Sequence, residues 1–171
     1  MELLVLGKSR VRREYGLFEA IEFTECNGCS LCCHMPWLLT EEYNSNKDKF
    51  KGGIKQIDSV SFIMDQTRCK YAVNDRCEVY QDRPLDCRLF PLDIIEDGGK
   101  YWWCIFTTCP QNIAIRKKLI PLIPKIEEIL TAEMFEQYRG QIEVSKEVYL
   151  PYKNKQYELV RLFGENVNFS F

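Results

Sequence analysis

The chain has 171 residues, a formal net charge of −2, nine cysteines and one histidine. A chain of this length buries roughly 70% of its unfolded surface, so neither disulfides nor metal are needed merely to rescue a small core. The near-neutral, slightly acidic balance argues against general nucleic-acid binding, which needs a concentrated basic face, and no apolar run approaches the length of a membrane span.

The opening "MELLVLGKSRVRR" places an apolar stretch before its basic residues, the reverse of a secretion signal, and suggests a cytoplasmic protein. In a reducing compartment disulfides seldom persist and clustered cysteines point to metal or redox work. An odd count would also leave one thiol over from any full disulfide pairing. "ELLVL" and "GLFEAIEFTE" read as strands. "WLLTEEY" reads as a strand ending at Thr40, which then caps a short helix with Glu41 and Glu42 in its first turn. "NSNKDKFKGG" is a polar loop, and "VSFIMD" alternates like a strand. "LDIIEDGGKYWWCIF" carries the clearest hairpin signal, with Asp97-Gly98-Gly99-Lys100 at its turn.

Past Pro110 the pattern becomes helical. "QNIAIRKKLI" predicts one helix. "PKIEEILTAEMFEQYRG" predicts another, with Ile126, Ile129, Leu130 and Met134 on one face and Gly140 as its stop. The aromatic tail from Val148 has no assigned element. The expected architecture is a single α+β domain over residues 1–171. Small antiparallel strands and cysteine-rich loops surround a metal centre over about 24–110, and helices follow over about 111–171.

The chemistry lies in the thiols. "CNGCSLCC" sets Cys26, Cys29, Cys32 and Cys33 within eight positions. Two residues between cysteines let one turn aim both sulfurs at a single ion. Adjacent Cys32 and Cys33 usually point apart, which favours two neighbouring sites or one multinuclear site over a lone zinc. Cys69 and Cys77 bracket a tight-turn dipeptide, Asn74-Asp75. Cys87 and Cys109 follow. Arg68, Lys70, Arg76, Arg83 and Arg88 lie close in sequence to these thiols, where cations would offset thiolate charge and lower thiol pKa values.

"CNGCSLCC", then "CEVYQDRPLDCRLFP", then "CP" resemble the CxxCxxCC family of zinc- or iron-chelating domains over about residues 26–110. The resemblance implies Cys26, Cys29, Cys32, Cys33, Cys69, Cys77, Cys87 and Cys109 as metal ligands. It implies Tyr80, Arg83, Pro84, Arg88, Phe90 and Pro91 as framework. Flagellin lysine methylases look like larger relatives with a similar cluster.

The ninth thiol, Cys104, shares a strand face with Trp102 and Phe106 and reads as a small apolar side chain. His34 could replace a thiolate but reads as a bystander, and Tyr80 as a packing or hydrogen-bonding residue of its own turn. Trp102 and Trp103 read as core. Zinc in two closed tetrathiolate sites is the default, and it would be structural. An iron–sulfur centre is the rival, because the first three cysteine spacings and Cys109-Pro110 echo a ferredoxin run. Three functional classes follow: a metal-binding protein, an iron-dependent redox or transferase enzyme, and a metal-stabilised module for a protein partner. The sequence has no nucleotide-binding glycine loop, Ser–His–Asp set or HExxH motif.

Overall fold

The computed structural model describes residues 36–50, 52–57, 60–63, 69–74, 76–130, 132–148 and 156–164. The two strands expected before Cys26, the run from Cys26 to Cys33, and His34 lie outside the described residues. Within them the fold is α+β, with three small antiparallel sheets and a series of helices.

The chain enters through β1 (Trp37–Leu38) and turns at Leu39 into α1 (Thr40–Asn46). Thr40 is therefore the first helical residue, not the cap. The cap position is Leu39, whose side chain has no oxygen to offer. Its own N–H instead donates to the Glu42 carboxylate three residues on, at 3.0 Å, which is half of a capping box. The segment expected as a polar loop is helical to Asn46 and buries Phe50 completely. It leads into β2 (Ile54–Ile57), which pairs with β3 (Val60–Ile63), and β3 also pairs with β1. The order is β1-β3-β2.

A second, two-stranded sheet is the miniature hairpin of β4 (Ala72–Val73) and β5 (Arg76–Cys77). A 3-10 turn (Tyr80–Asp82) and the short helix α2 (Leu85–Leu89) follow. Next comes the expected hairpin, β6 (Leu92–Asp97) and β7 (Lys100–Phe106), with Asp97 opposite Lys100. Gly98 and Gly99 both take positive φ, 62° and 75°. That is the requirement of a two-residue turn matched to strand twist. Leu92 and Ile94 pair with Ile105 and Trp103, and all four sit in the main apolar cluster. Alternation along the strands thus chooses the face that goes inward.

The helical part is α3 (Asn112–Leu119), a 3-10 turn (Ile120–Leu122), α4 (Ile123–Ile129) and α5 (Ala132–Val148). The second expected helix is broken and then extended. Leu130 leaves helical geometry at ψ 110° and goes into the core at 3% exposure. Gly140 does not end α5. Phe135, Tyr138 and Ile142 repeat at helical spacing around it and are all buried, which outweighs the roughly 1 kcal/mol cost of a mid-helix glycine. The unassigned tail supplies β8 (Tyr157–Leu162), a third strand beside β7. So the helices do not end the fold, because the chain returns to the sheet.

One buried carboxylate fastens that return. Glu127 of α4 is fully buried, and its Oε1 accepts the Trp103 indole N–H at 2.8 Å and the Gly164 N–H at 3.0 Å. Arg161 of β8 lies 3.9 Å from its Oε2. Glu127→Ala strands both donors and should cost about 2–5 kcal/mol in a urea unfolding series. Glu127→Gln, which keeps an oxygen for both donors, should cost clearly less, and equal losses would contradict this account.

Candidate metal centre

Four of the eight candidate ligands, Cys69, Cys77, Cys87 and Cys109, fall among the described residues. Each is placed by a different local device. Cys77 closes the β4–β5 hairpin, opposite Ala72. The Ala72 N–H donates to the Cys69 carbonyl at 3.2 Å, which draws the chain before the hairpin alongside it. Asn74 takes φ 48° at the tip, a left-handed conformation that asparagine tolerates better than most residues. Cys69 itself is buried with Leu38, Phe50 and Ile63.

Cys87 rides on α2, five residues long. A helix this short has no stability of its own. Arg88 holds the turn before it, donating from Nε to the Arg83 carbonyl at 2.7 Å and from Nη2 to the Gln81 carbonyl at 2.8 Å. Arg83 donates to the Tyr80 carbonyl at 2.9 Å and lays its guanidinium 3.6 Å from the centre of the Tyr80 ring. Pro84 stands at the N-cap of α2 with extended geometry. Phe90, at the other end, stacks on Phe106 at 5.8 Å between centroids. The framework residues of "CEVYQDRPLDCRLFP" therefore fold the turn that presents Cys87. Arg83 and Arg88 bond backbone carbonyls, and Arg83 also covers the Tyr80 ring, which fits the framework role the resemblance implies for them. Tyr80 has the packing role expected of it.

Glu42 completes the support. Its Oε1 accepts the N–H of Leu85, the first residue of α2, at 2.7 Å, while Oε2 takes Leu39. One carboxylate thus serves the starts of two helices, reaching 43 positions along the sequence to Leu85. Burial pushes its pKa up to about 7, against the pull of the two N–H groups and the charge of Arg88. Asp86, beside Cys87, accepts the Trp37 N–H at 3.2 Å, and its carboxyl is held well above the usual range by burial and then by Asp93. Sequence reasoning missed both acids as supports. The only signal was Glu42 at the third position of its helix, where a capping box places an acid.

Cys109 sits at the mouth of α3. Its N–H donates to the Phe106 carbonyl at 3.3 Å, and its own carbonyl accepts the Asn112 N–H at 3.0 Å and the Asn112 side-chain amide at 2.6 Å. Cys104 differs in kind. It is fully buried opposite Asp93 in the β6–β7 ladder. Burial, then the Asp93 charge, pushes its thiol pKa well up. Among the described residues, no three His, Cys, Asp or Glu side chains gather into a group able to hold a metal ion. The donors suit zinc or iron in kind, since thiolates are soft ligands, but the four described cysteines do not make one complete site by themselves.

A family model described as "CxxCxxCC: Putative zinc- or iron-chelating domain" matches residues 25–110. The chain belongs to this family. No curated protein and no solved structure matches it. The CxxCxxCC match spans the β4–β5 hairpin, the Arg88 turn, α2 and the β6–β7 sheet, and it ends one residue beyond Cys109. Among the described residues, no helix is long and apolar enough to cross a membrane.

The raised Glu42 pKa has a definite sign. The folded chain holds this proton more tightly than the unfolded chain, where the value is near 4.5. The contribution is therefore complete below pH 4.5 and is lost as pH rises through about 7, a change of about 3 kcal/mol. The urea midpoint of the wild type should fall between pH 5 and 7.5, and Glu42→Gln should flatten that fall. Identical slopes for the two proteins would show that Glu42 does not titrate in this window.

Proposed function

We propose that the protein chelates zinc or iron through a cysteine cluster made of Cys26, Cys29, Cys32, Cys33, Cys69, Cys77, Cys87 and Cys109. The observation that carries this reading is the family match over residues 25–110, joined to the way its framework residues fix Cys87. A turn held by two guanidinium groups and a shared carboxylate cap is a large investment in the position of one half-buried thiol. Metal coordination needs that kind of positioning.

Zinc bound by four thiolates would be structural, leaving no open coordination position. An iron–sulfur centre would use the same donors. The main apolar cluster runs from Trp37 through Leu85, Trp103 and Tyr138 to Phe163, which supports reading the cysteine half and the helical half as one domain. A reducing, cytoplasmic setting suits thiols kept available for metal.

Metal content per chain tests the ligand assignment. Cys87→Ser and Cys109→Ser should lose metal, because a serine hydroxyl stays protonated and replaces a soft thiolate poorly. Cys104→Ser should keep its metal and cost about 1–3 kcal/mol, the penalty for a hydroxyl in an apolar setting. A Cys104→Ser protein emptied of metal, beside a Cys109→Ser protein still loaded, would overturn the assignment.

A further inference from the structure

We infer that the four described candidate cysteines work as two separate ligand pairs, Cys69 with Cys77 and Cys87 with Cys109, each pair serving a different metal site. The inference rests on the metal-binding reading above and adds to it which thiols share an ion.

The first pair is joined through Ala72. Ala72 is the register partner of Cys77 and donates its N–H to the Cys69 carbonyl at 3.2 Å. Register partners in an antiparallel ladder keep their Cα atoms about 4.5–5.5 Å apart. Both cysteines are therefore immediate backbone neighbours of one small residue. The second pair is joined through Phe90, Pro91 and Phe106. Cys87 lies one helical turn before Phe90, whose N–H still donates to Asp86 in helical fashion at 3.1 Å. Phe90 stacks on Phe106, and the Phe106 N–H donates to the Pro91 carbonyl at 2.9 Å. The Phe106 carbonyl in turn accepts the Cys109 N–H.

The two pairs also belong to different parts of the interior. Cys69 belongs to a small apolar cluster with Leu38, Phe50 and Ile63, whereas Cys109 belongs to the main cluster, which also takes in Leu85 and Leu89 of α2. Among the described residues no three His, Cys, Asp or Glu side chains form a group able to hold a metal ion, which speaks against one joint site made of these four cysteines. Each pair supplies two of the four thiolates that a tetrahedral zinc site takes.

Per-cysteine labelling of zinc-loaded protein with N-ethylmaleimide, read by mass spectrometry, tests the pairing. Zinc-bound thiolates react slowly, and Cys104, shut in the sheet, reports unfolding. In Cys77→Ser, labelling of Cys69 should rise about ten-fold or more while Cys87 and Cys109 stay as in the wild type. In Cys109→Ser, Cys87 should open while Cys69 and Cys77 stay protected. With Cys104 still closed, a Cys77→Ser protein that exposes Cys87 and Cys109 along with Cys69, or leaves Cys69 protected, overturns the pairing. If Cys77→Ser opens Cys104, the variant has unfolded, and Cys77→His, which keeps a zinc donor, takes its place. Chelator titration of that variant should expose Cys69 before Cys87 and Cys109, and simultaneous exposure of the three overturns the pairing. A wild type that carries no zinc or iron and labels at all four positions from the outset fails in a different way, by ending the metal-binding reading itself.

Discussion

The Glu42 carboxylate, with one oxygen on Leu39 and the other on Leu85, is the constraint on which the cysteine half depends. A five-residue helix does not persist unless its ends are satisfied from outside. Glu42 satisfies the N-terminal end of α2, and the Arg88 side chain ties that helix to the turn before it. From this joint β1 and α1 reach back to the first sheet, α2 carries Cys87, and Phe90 leads into the β6–β7 hairpin. A buried carboxylate is costly unless its hydrogen bonds are complete. Two backbone N–H groups offset part of that cost here and make the joint specific.

The helical half repeats the device with different residues. Glu127 also gathers two N–H donors from distant parts of the chain, the Trp103 indole and the Gly164 backbone. Glu42 joins elements before the β6–β7 hairpin, and Glu127 joins that hairpin to the helices and to the end of β8. The apolar cluster between them is continuous, so burial supplies the bulk of the stability while the two carboxylates select the arrangement. Aromatic contacts complete the seam, with Phe163 stacked on Phe135 at 4.4 Å and Trp37 edge-on to Tyr138 at 4.6 Å.

Much of this was legible in the sequence where one local rule governed the outcome. The Gly98-Gly99 turn and the burial of Cys104 follow from turn chemistry and from the apolar strand around that thiol. Where long-range partners decided, local rules failed. Thr40 looked like a cap, but it is the first helical residue, with Leu39 at the cap and Glu42 turned inward to the distant Leu85 N–H. Helical periodicity runs straight through Leu130, yet that residue leaves the helix while staying buried. Gly140 looked like a stop until the buried face around it proved stronger. The resemblance marks Arg83 and Arg88 as framework, but their carbonyl partners could not be read from composition. The strand β8 had no signal beyond aromatic content, because its pairing depends on a β7 edge formed some 50 residues earlier in the chain.

The central claim is that this scaffold exists to hold metal on thiolates. Elemental analysis with an absorption spectrum, on full-length protein purified without oxygen, tests it most directly. The account predicts close to two zinc ions per chain in a colourless sample, or an equivalent iron content with a band near ~400 nm in a brown one. Metal-free protein with native-like folding and its cysteines paired as disulfides would contradict it.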